Sequence, residues 1–173
     1  MTSKTGVISP NYGLKIVSIE LFESIKRYLE ENGVEFRMAH HAPTRTSEES
    51  AAARGEDVSI GGKAIVMKIG ERFMLFVLSA ALKIDSAKIK ERFQEKRTRF
   101  ATAEELLQLT GAVPGAVPPF GEPIISLDLF IDNSIRANTR IAFNAGSLTD
   151  SIIMSVADYL KLVRPTFFDF SAR

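Results

Sequence analysis

The stretch Gly61–Ser79, GGKAIVMKIGERFMLFVLS, holds two apolar runs separated by Gly70-Glu71. Each run is too short for a buried helix and is rich in β-branched, aromatic and long aliphatic residues, so Lys63 to Ile69 and Phe73 to Ser79 read as the two strands of a hairpin. Side chains alternate between the faces of a strand. Lys63 therefore shares a face with Ile65 and Met67, and Lys68 shares the other with Ala64 and Val66. If both faces of the sheet are covered, at least one of the two lysines sits at an apolar strand end.

Outward from the hairpin the chain alternates short elements without a regular repeat. Apolar residues at Ile19, Phe22, Ile25 and Leu29 recur at helical spacing, with Ser18 as a possible cap and Asn32-Gly33 as the stop. Residues 1–13 read as an irregular N-terminal segment, and 14–173 as one domain. Val34 to Ala39 reads as a strand. Thr46 and Glu49, and again Thr102 and Glu105, have the spacing of capping boxes that open helices ending at Gly55 and Gly111. Asp85 caps a helix running to about Glu95, and Thr98 to Phe100 is a brief strand. Further strands are expected at Ile124 to Phe130, Arg140 to Phe143 and Ser151 to Met154, followed by a helix from Ser155 that Pro165 ends. This pattern predicts an α+β fold: a single domain with a curved mixed, mostly antiparallel sheet surrounded by helices.

With 173 residues the chain can close one sizeable core. It has no cysteine and only His40 and His41, which excludes a disulfide framework, a thiolate metal site and a cysteine nucleophile, and argues against a multi-histidine zinc site. No cofactor and no metal are expected. No run reaches the ~20 apolar residues of a membrane span. The N-terminus lacks the apolar stretch of a secretory signal, so a cytoplasmic location with no membrane association is expected. The net charge of +1 does not by itself mark a nucleic-acid binder. Lys83, Lys88, Lys90, Arg92, Lys96, Arg97 and Arg99 crowd one segment among Asp85, Glu91 and Glu95. That segment is either a solvated face of mixed sign or a surface meeting phosphates.

Three places could carry chemistry. Lys63 stands at the end of an apolar strand, where an ammonium is costly to bury without a partner. Either it serves a site, or it and Lys68 each snorkel outward at their own strand end. The preceding Gly61-Gly62 lets another backbone or a ligand approach closely. The second place is Gly111 to Gly121, GAVPGAVPPFG, apolar yet too rich in Gly and Pro for regular structure. Glycines 111, 115 and 121 permit positive φ while prolines 114, 118 and 119 stiffen the rest. Such a loop either binds a small polar group through main-chain atoms or packs as a structural Ω-type loop. The third is His41 with Thr46, at a strand end beside a capped helix, either lining a pocket or structural. No nucleophile elbow of the Gly-x-Ser-x-Gly type occurs.

These segments, in order, resemble the YbaK/prolyl-tRNA-synthetase-associated editing domain superfamily. The match is carried by His41-x-Pro43-x-x-Thr46-x-Glu48-Glu49 with Arg54-Gly55, and by Gly62-Lys63-Ala64-Ile65-Val66-Met67-Lys68. It continues through Phe100-Ala101-Thr102 and Leu109-Thr110-Gly111 into Gly115-Ala116-Val117-Pro118-Pro119-Phe120. Phe143-Asn144-Ala145-Gly146, Ser151-Ile152 and Asp158-Tyr159-Leu160 complete it. The resemblance implies a stand-alone hydrolase that deacylates mischarged aminoacyl-tRNA carrying Ala, Ser, Thr or Cys. The partners it implies are the acceptor end of aminoacyl-tRNA and an aminoacyl-tRNA synthetase. By the same resemblance Lys63 and Gly115 are the expected catalytic groups. The expected substrate-binding residues are His41, Thr46, Ile65, Met67, Ala116, Val117, Pro118, Pro119, Phe120 and Gly146. Ala64 and Asn144-Ala145-Gly146 depart from relatives that carry Asn or Thr after the lysine and a histidine near the last glycine. A non-catalytic module that binds a tRNA end or a synthetase on the same fold is the alternative.

Overall fold

In the computed structural model, residues 10–173 are described, with side chains from residue 17 onward. The elements in chain order are α1 (Pro10–Glu31), β1 (Phe36–His40), α2 (Ser47–Arg54), β2 (Gly62–Ile69), β3 (Arg72–Ser79), β4 (Lys83–Ile84), α3 (Ser86–Phe93), β5 (Thr98–Phe100), α4 (Ala103–Thr110), β6 (Asp128–Ile131), β7 (Arg140–Asn144), β8 (Asp150–Ser155), α5 (Val156–Val163), β9 (Thr166–Phe167) and β10 (Ser171–Ala172). The strands divide into a five-stranded sheet of order β5-β2-β3-β6-β9, a three-stranded sheet of order β1-β8-β7, and the small β10-β4 pair. The larger sheet is mixed: β2 pairs antiparallel with β3 and β5, whereas β3–β6 and β6–β9 are parallel. This is a mixed α+β architecture, split into two main sheets that meet where Gly61 bridges Ala142.

The hairpin forms in the expected register, with Lys63 opposite Leu78 and Lys68 opposite Phe73. Both of its faces are buried. Met67, Met74, Phe76 and Leu78 pack with Ile89 of α3 and Phe170, while Val66 and Leu75 pack with Leu106 of α4 and with Ala112, Ala116 and Val117. A third cluster, including Ile25 and Leu29 of α1, Phe120, Phe143 and Tyr159, fills the space beside the smaller sheet. The loop thus lies between cores and is held from both sides.

Several local expectations change. The first helix starts at Pro10, a residue suited to the first helical turn, so residues 10–13 are helical, and Met1–Ser9 lie outside the described residues. Ser18 is not a cap. It sits within α1 and donates its hydroxyl to the Gly146 carbonyl at 2.9 Å. Thr46 forms the full reciprocal capping box. Thr102 caps α4 through the Glu105 N–H, but the Glu105 carboxylate turns to Arg99, which outcompetes the backbone N–H. Ile124 and Ile125 are not strand: both N–H groups donate to the Gly121 carbonyl, closing a turn before β6.

Candidate active site

A cavity of about 220 Å³ opens where the start of β2, helix α2, the Gly115 loop and β7 converge. Its walls include Lys63, Ala64 and Ile65, Thr44, Arg45, Thr46, Ser47, Ser50 and Arg54, Gly115 and Val117, and Ala142 and Asn144. The local sequence explains the meeting. Glycine at 62 allows close approach by the other sheet, since a Cβ there would stand 2.5 Å from Ile141 Cδ1 of β7. Glycine at 61 allows close approach by the residue after β3, since a Cβ there would stand 2.8 Å from the Ala80 Cβ. The Gly62 contact brings β7 against the first residues of β2 and leaves Lys63 at the seam.

The two lysines of β2 now separate. Lys68 lies 3.7 Å from Glu71 at the hairpin end and over the Phe73 ring, an outward, paired side chain. Lys63 lines the cavity half-buried, and desolvation lowers its pKa below the ordinary lysine value, against the raising influence of Glu48 and with a further lowering from Lys83. Arg45, Arg54 and Lys63 give the walls three cations and no carboxylate. None of the three takes part in the ion pairs formed among the described residues. A recess lined by cations and no carboxylate favours an anionic or oxyanionic ligand.

The Gly111–Gly121 loop is pinned at successive points. Ala116 N–H donates to the Val113 carbonyl and accepts, through its own carbonyl, the Gly146 N–H at 3.0 Å. The Asn144 amide donates to the Gly115 carbonyl at 2.8 Å, and the buried Tyr159 hydroxyl donates to the Pro119 carbonyl. Gly115 has φ +86°, open only to glycine without strain, and is exposed at the cavity. Gly111, also at positive φ, is the C-cap of α4. Gly121 is not at positive φ; it is small because the Leu127 carbonyl would lie 3.1 Å from a Cβ there.

Of the residues expected in the site, Lys63, Thr46, Ile65, Gly115 and Val117 are brought together around this cavity. The others are not on its walls. Met67 shares the Lys63–Ile65 face but lies further along β2, beyond the cavity, where Ile89, Phe76 and Phe170 bury it. Phe120 is a core anchor, edge-on to Phe143 and Tyr159 at centroid distances of 5.4 and 5.5 Å. Ala116, Pro118 and Pro119 are buried beneath the loop surface. Gly146 supports the loop, and at φ +79° it also admits Leu21 of α1, whose Cγ would stand 2.7 Å from a Cβ.

His41 lies behind the wall, with Nδ1–H donating to the Ala42 carbonyl and Nε2 at 2.8 Å from Ser151 Oγ. The His41–Ser151 contact has the spacing of a nucleophile and its base, yet Ser151 is fully buried and its oxygen already accepts a hydrogen bond from Arg54 Nε. Arg54, Asn144 and, behind them, Ser151, which no local pattern marks, complete the polar wall of the site. The one available signal was that all three lie inside the motif segments.

Fold and site together define a class: an α+β domain whose small pocket offers cations, hydroxyls and a fixed backbone loop in place of a serine–histidine–aspartate relay. The chain belongs to the aminoacyl-tRNA editing domain family, which matches residues 41–162. It is 32% identical over 148 residues to the multifunctional Ser/Thr-tRNA deacylase ProXp-y of Escherichia coli, spanning 82% of this chain and 87% of that protein. The proline–tRNA ligase of Bacillus licheniformis is also 32% identical, over 111 residues that make up 64% of this chain and 19% of the ligase. A solved structure of a candidate trans-editing enzyme for prolyl tRNA synthetase shares the fold at a TM-score of 0.77 and 21% identity, covering 96% of this chain and 99% of that one. No helix among the described residues is long and apolar enough to cross a membrane.

Proposed function

We propose that this protein is a trans-editing deacylase that hydrolyses the ester between a small amino acid and the acceptor end of a mischarged tRNA in the cytoplasm. The observation that carries this reading is the composition of one cavity: three cations outside the ion pairs formed among the described residues, a glycine carbonyl held by Asn144, and four hydroxyl-bearing residues, Thr44, Thr46, Ser47 and Ser50. At about 220 Å³ it falls below the ~300–1,000 Å³ of cavities that enclose a drug-sized ligand, which suits an aminoacyl group better than a whole nucleotide. The hydroxyl lining, together with the Ser/Thr specificity named for the Escherichia coli relative, favours seryl and threonyl esters over alanyl and cysteinyl ones.

In the proposed reaction, water adds to the ester carbonyl, the bond to the ribose oxygen breaks, and the free amino acid and the tRNA hydroxyl leave. Lys63 carries the positive charge that holds the terminal adenosine phosphate or meets the developing oxyanion. Backbone groups at Gly115 orient the water or the substrate amino group, and the neighbouring ribose hydroxyl assists. Thr46, Ile65 and Val117 bound the space for the side chain. Editing by a second site is needed because a synthetase pocket discriminates one methylene by only about 1–3 kcal/mol.

The test is a deacylation panel. Purified protein is incubated with Ala-, Ser-, Thr-, Cys- and Pro-tRNA, matched and mischarged, and release of each amino acid is followed. Fastest release from Ser- or Thr-tRNA is expected. Tight binding of the charged or uncharged tRNA with no acceleration of any ester would instead identify a non-catalytic binding module.

A further inference from the structure

Arg54 sits at the end of α2 and reaches into a polar network assembled from distant parts of the chain. Its Nε donates to Ser151 Oγ at 2.9 Å, and its Nη2 donates to Asn144 Oδ1 at 2.9 Å. Asn144 in turn donates from Nδ2 to the carbonyl of Gly115 at 2.8 Å. Ser151 Oγ also lies 3.2 Å from Asn144 Oδ1 and 2.8 Å from His41 Nε2, so the cluster is closed, with Arg54 and Asn144 on the cavity wall and His41 and Ser151 behind it.

The chemistry of the two side chains gives this chain of bonds a direction. A carboxamide has one acceptor end and one donor end, and nothing in its shape decides which way it faces. A guanidinium has only donors. Facing Arg54, the asparagine must present Oδ1, which leaves Nδ2 as the group that faces the loop. Only this orientation allows a bond to the Gly115 carbonyl; the flipped amide would place two oxygens against each other. A network satisfied in one orientation alone specifies that orientation strongly.

We propose that Arg54 is a positioning residue for the reaction: by fixing the Asn144 amide it locks the Gly115 peptide in the orientation the cavity requires. The inference rests on the deacylase reading for its kinetic consequence, but its structural half stands apart from activity. Arg54 does not need to touch the substrate for this role. A cation that merely bound a phosphate would act independently of Asn144, whereas a positioning residue acts through it.

The experiment compares Arg54→Met, Asn144→Asp and the double variant with the wild-type chain. Met keeps volume and removes the donors. Asp keeps an acceptor for Arg54 but cannot donate to Gly115. Arg54→Lys serves as a third variant that retains charge without the fork. Thermal melts establish that each is folded. Hydrogen exchange over the peptide spanning 111–121 is then measured, followed by single-turnover deacylation of the best ester from the panel.

Faster exchange in that peptide is expected for each single variant, and this readout holds whether or not the protein hydrolyses tRNA. In kinetics the expected loss is on the order of 10–100-fold in kcat with KM changed little, since misplacement of a supporting group by about 1 Å costs up to 10²-fold. The double variant should be no slower than the slower single. Arg54→Lys should fail to restore the rate. Unchanged exchange in both single variants would overturn the proposal. So would a loss confined to KM, full activity in Arg54→Lys, or effects of Arg54→Met and Asn144→Asp that multiply.

Discussion

Lys63→Ala is expected to slow deacylation by ~10²–10³-fold while leaving the melting temperature within a few degrees of wild type. The size follows from where the lysine stands. It lines a small cavity with no carboxylate in the walls and forms no ion pair among the described residues, so its charge is only partly offset, by Glu48, before a substrate arrives. Preorganised charge in such a recess costs no reorganisation when negative charge develops on the ester oxygen. The small cost in stability follows from the same fact, because an unpaired, half-buried ammonium contributes little to holding the fold. Burial lowers the Lys63 pKa, so the rate should fall with rising pH at a lower pH than an ordinary lysine would dictate. Lys68→Ala, which removes a paired side chain at the far end of the strand, should keep the wild-type rate. Single-turnover assays of the three proteins check both statements; a fully active Lys63→Ala would remove the lysine from the mechanism.

The largest loss of stability is expected at Asp132, which lies outside the cavity. Its buried carboxylate accepts the backbone N–H groups of Ser134, Phe170 and Ser171 and the Ser171 hydroxyl, at 2.7–3.0 Å. In this way the end of β6 ties down the C-terminal segment that covers the Phe76 cluster. Asp132→Ala leaves buried donors without an acceptor, at a cost of about 3 kcal/mol or more. Desolvation pushes this carboxyl's pKa up, but the hydrogen bonds outweigh it and hold the value below the ordinary aspartate range. A depressed pKa in the folded state means that the contribution is present above the unfolded value of about 4 and is lost as pH falls through the folded one. Chemical denaturation should therefore show the gap between wild type and Asp132→Ala constant from pH 7 to 5 and closing below pH 4. A gap that did not depend on acid would contradict the assignment.

Much of this was legible in the sequence because the deciding signals are local. The hairpin follows from two apolar runs around Gly70-Glu71, and four of the helices from caps at Thr46, Asp85, Thr102 and Ser155. Lys63 and the Gly115 loop could be singled out since a charge in an apolar strand and a proline-stiffened apolar loop are anomalies where they stand. What could not be read is the arrangement that joins residues far apart. Arg54 meets Asn144 across 90 positions and Ser151 across 97, and no periodicity within either segment encodes those contacts. Met67 and Phe120 are expected in the pocket by the resemblance, but the structure places both in the core. Distance along the strand takes the first beyond the cavity into the α3 core, and the aromatic cluster around Tyr159 claims the second. Residues 10–13, expected to be irregular, are the first turn of α1, and the helix runs through Gly13.

The central claim is that the cavity between Lys63 and Gly115 receives the aminoacyl end of tRNA. The most direct test is a crystal structure of the protein with a non-hydrolysable seryl-adenosine amide analogue. The account predicts the aminoacyl group between Gly115 and the Lys63 ammonium, with the seryl hydroxyl among Thr44, Thr46, Ser47 and Ser50. Occupation instead of the separate cavity bounded by Tyr28, Asp158, Lys161 and Arg164, with the Lys63 cavity left empty, would contradict it.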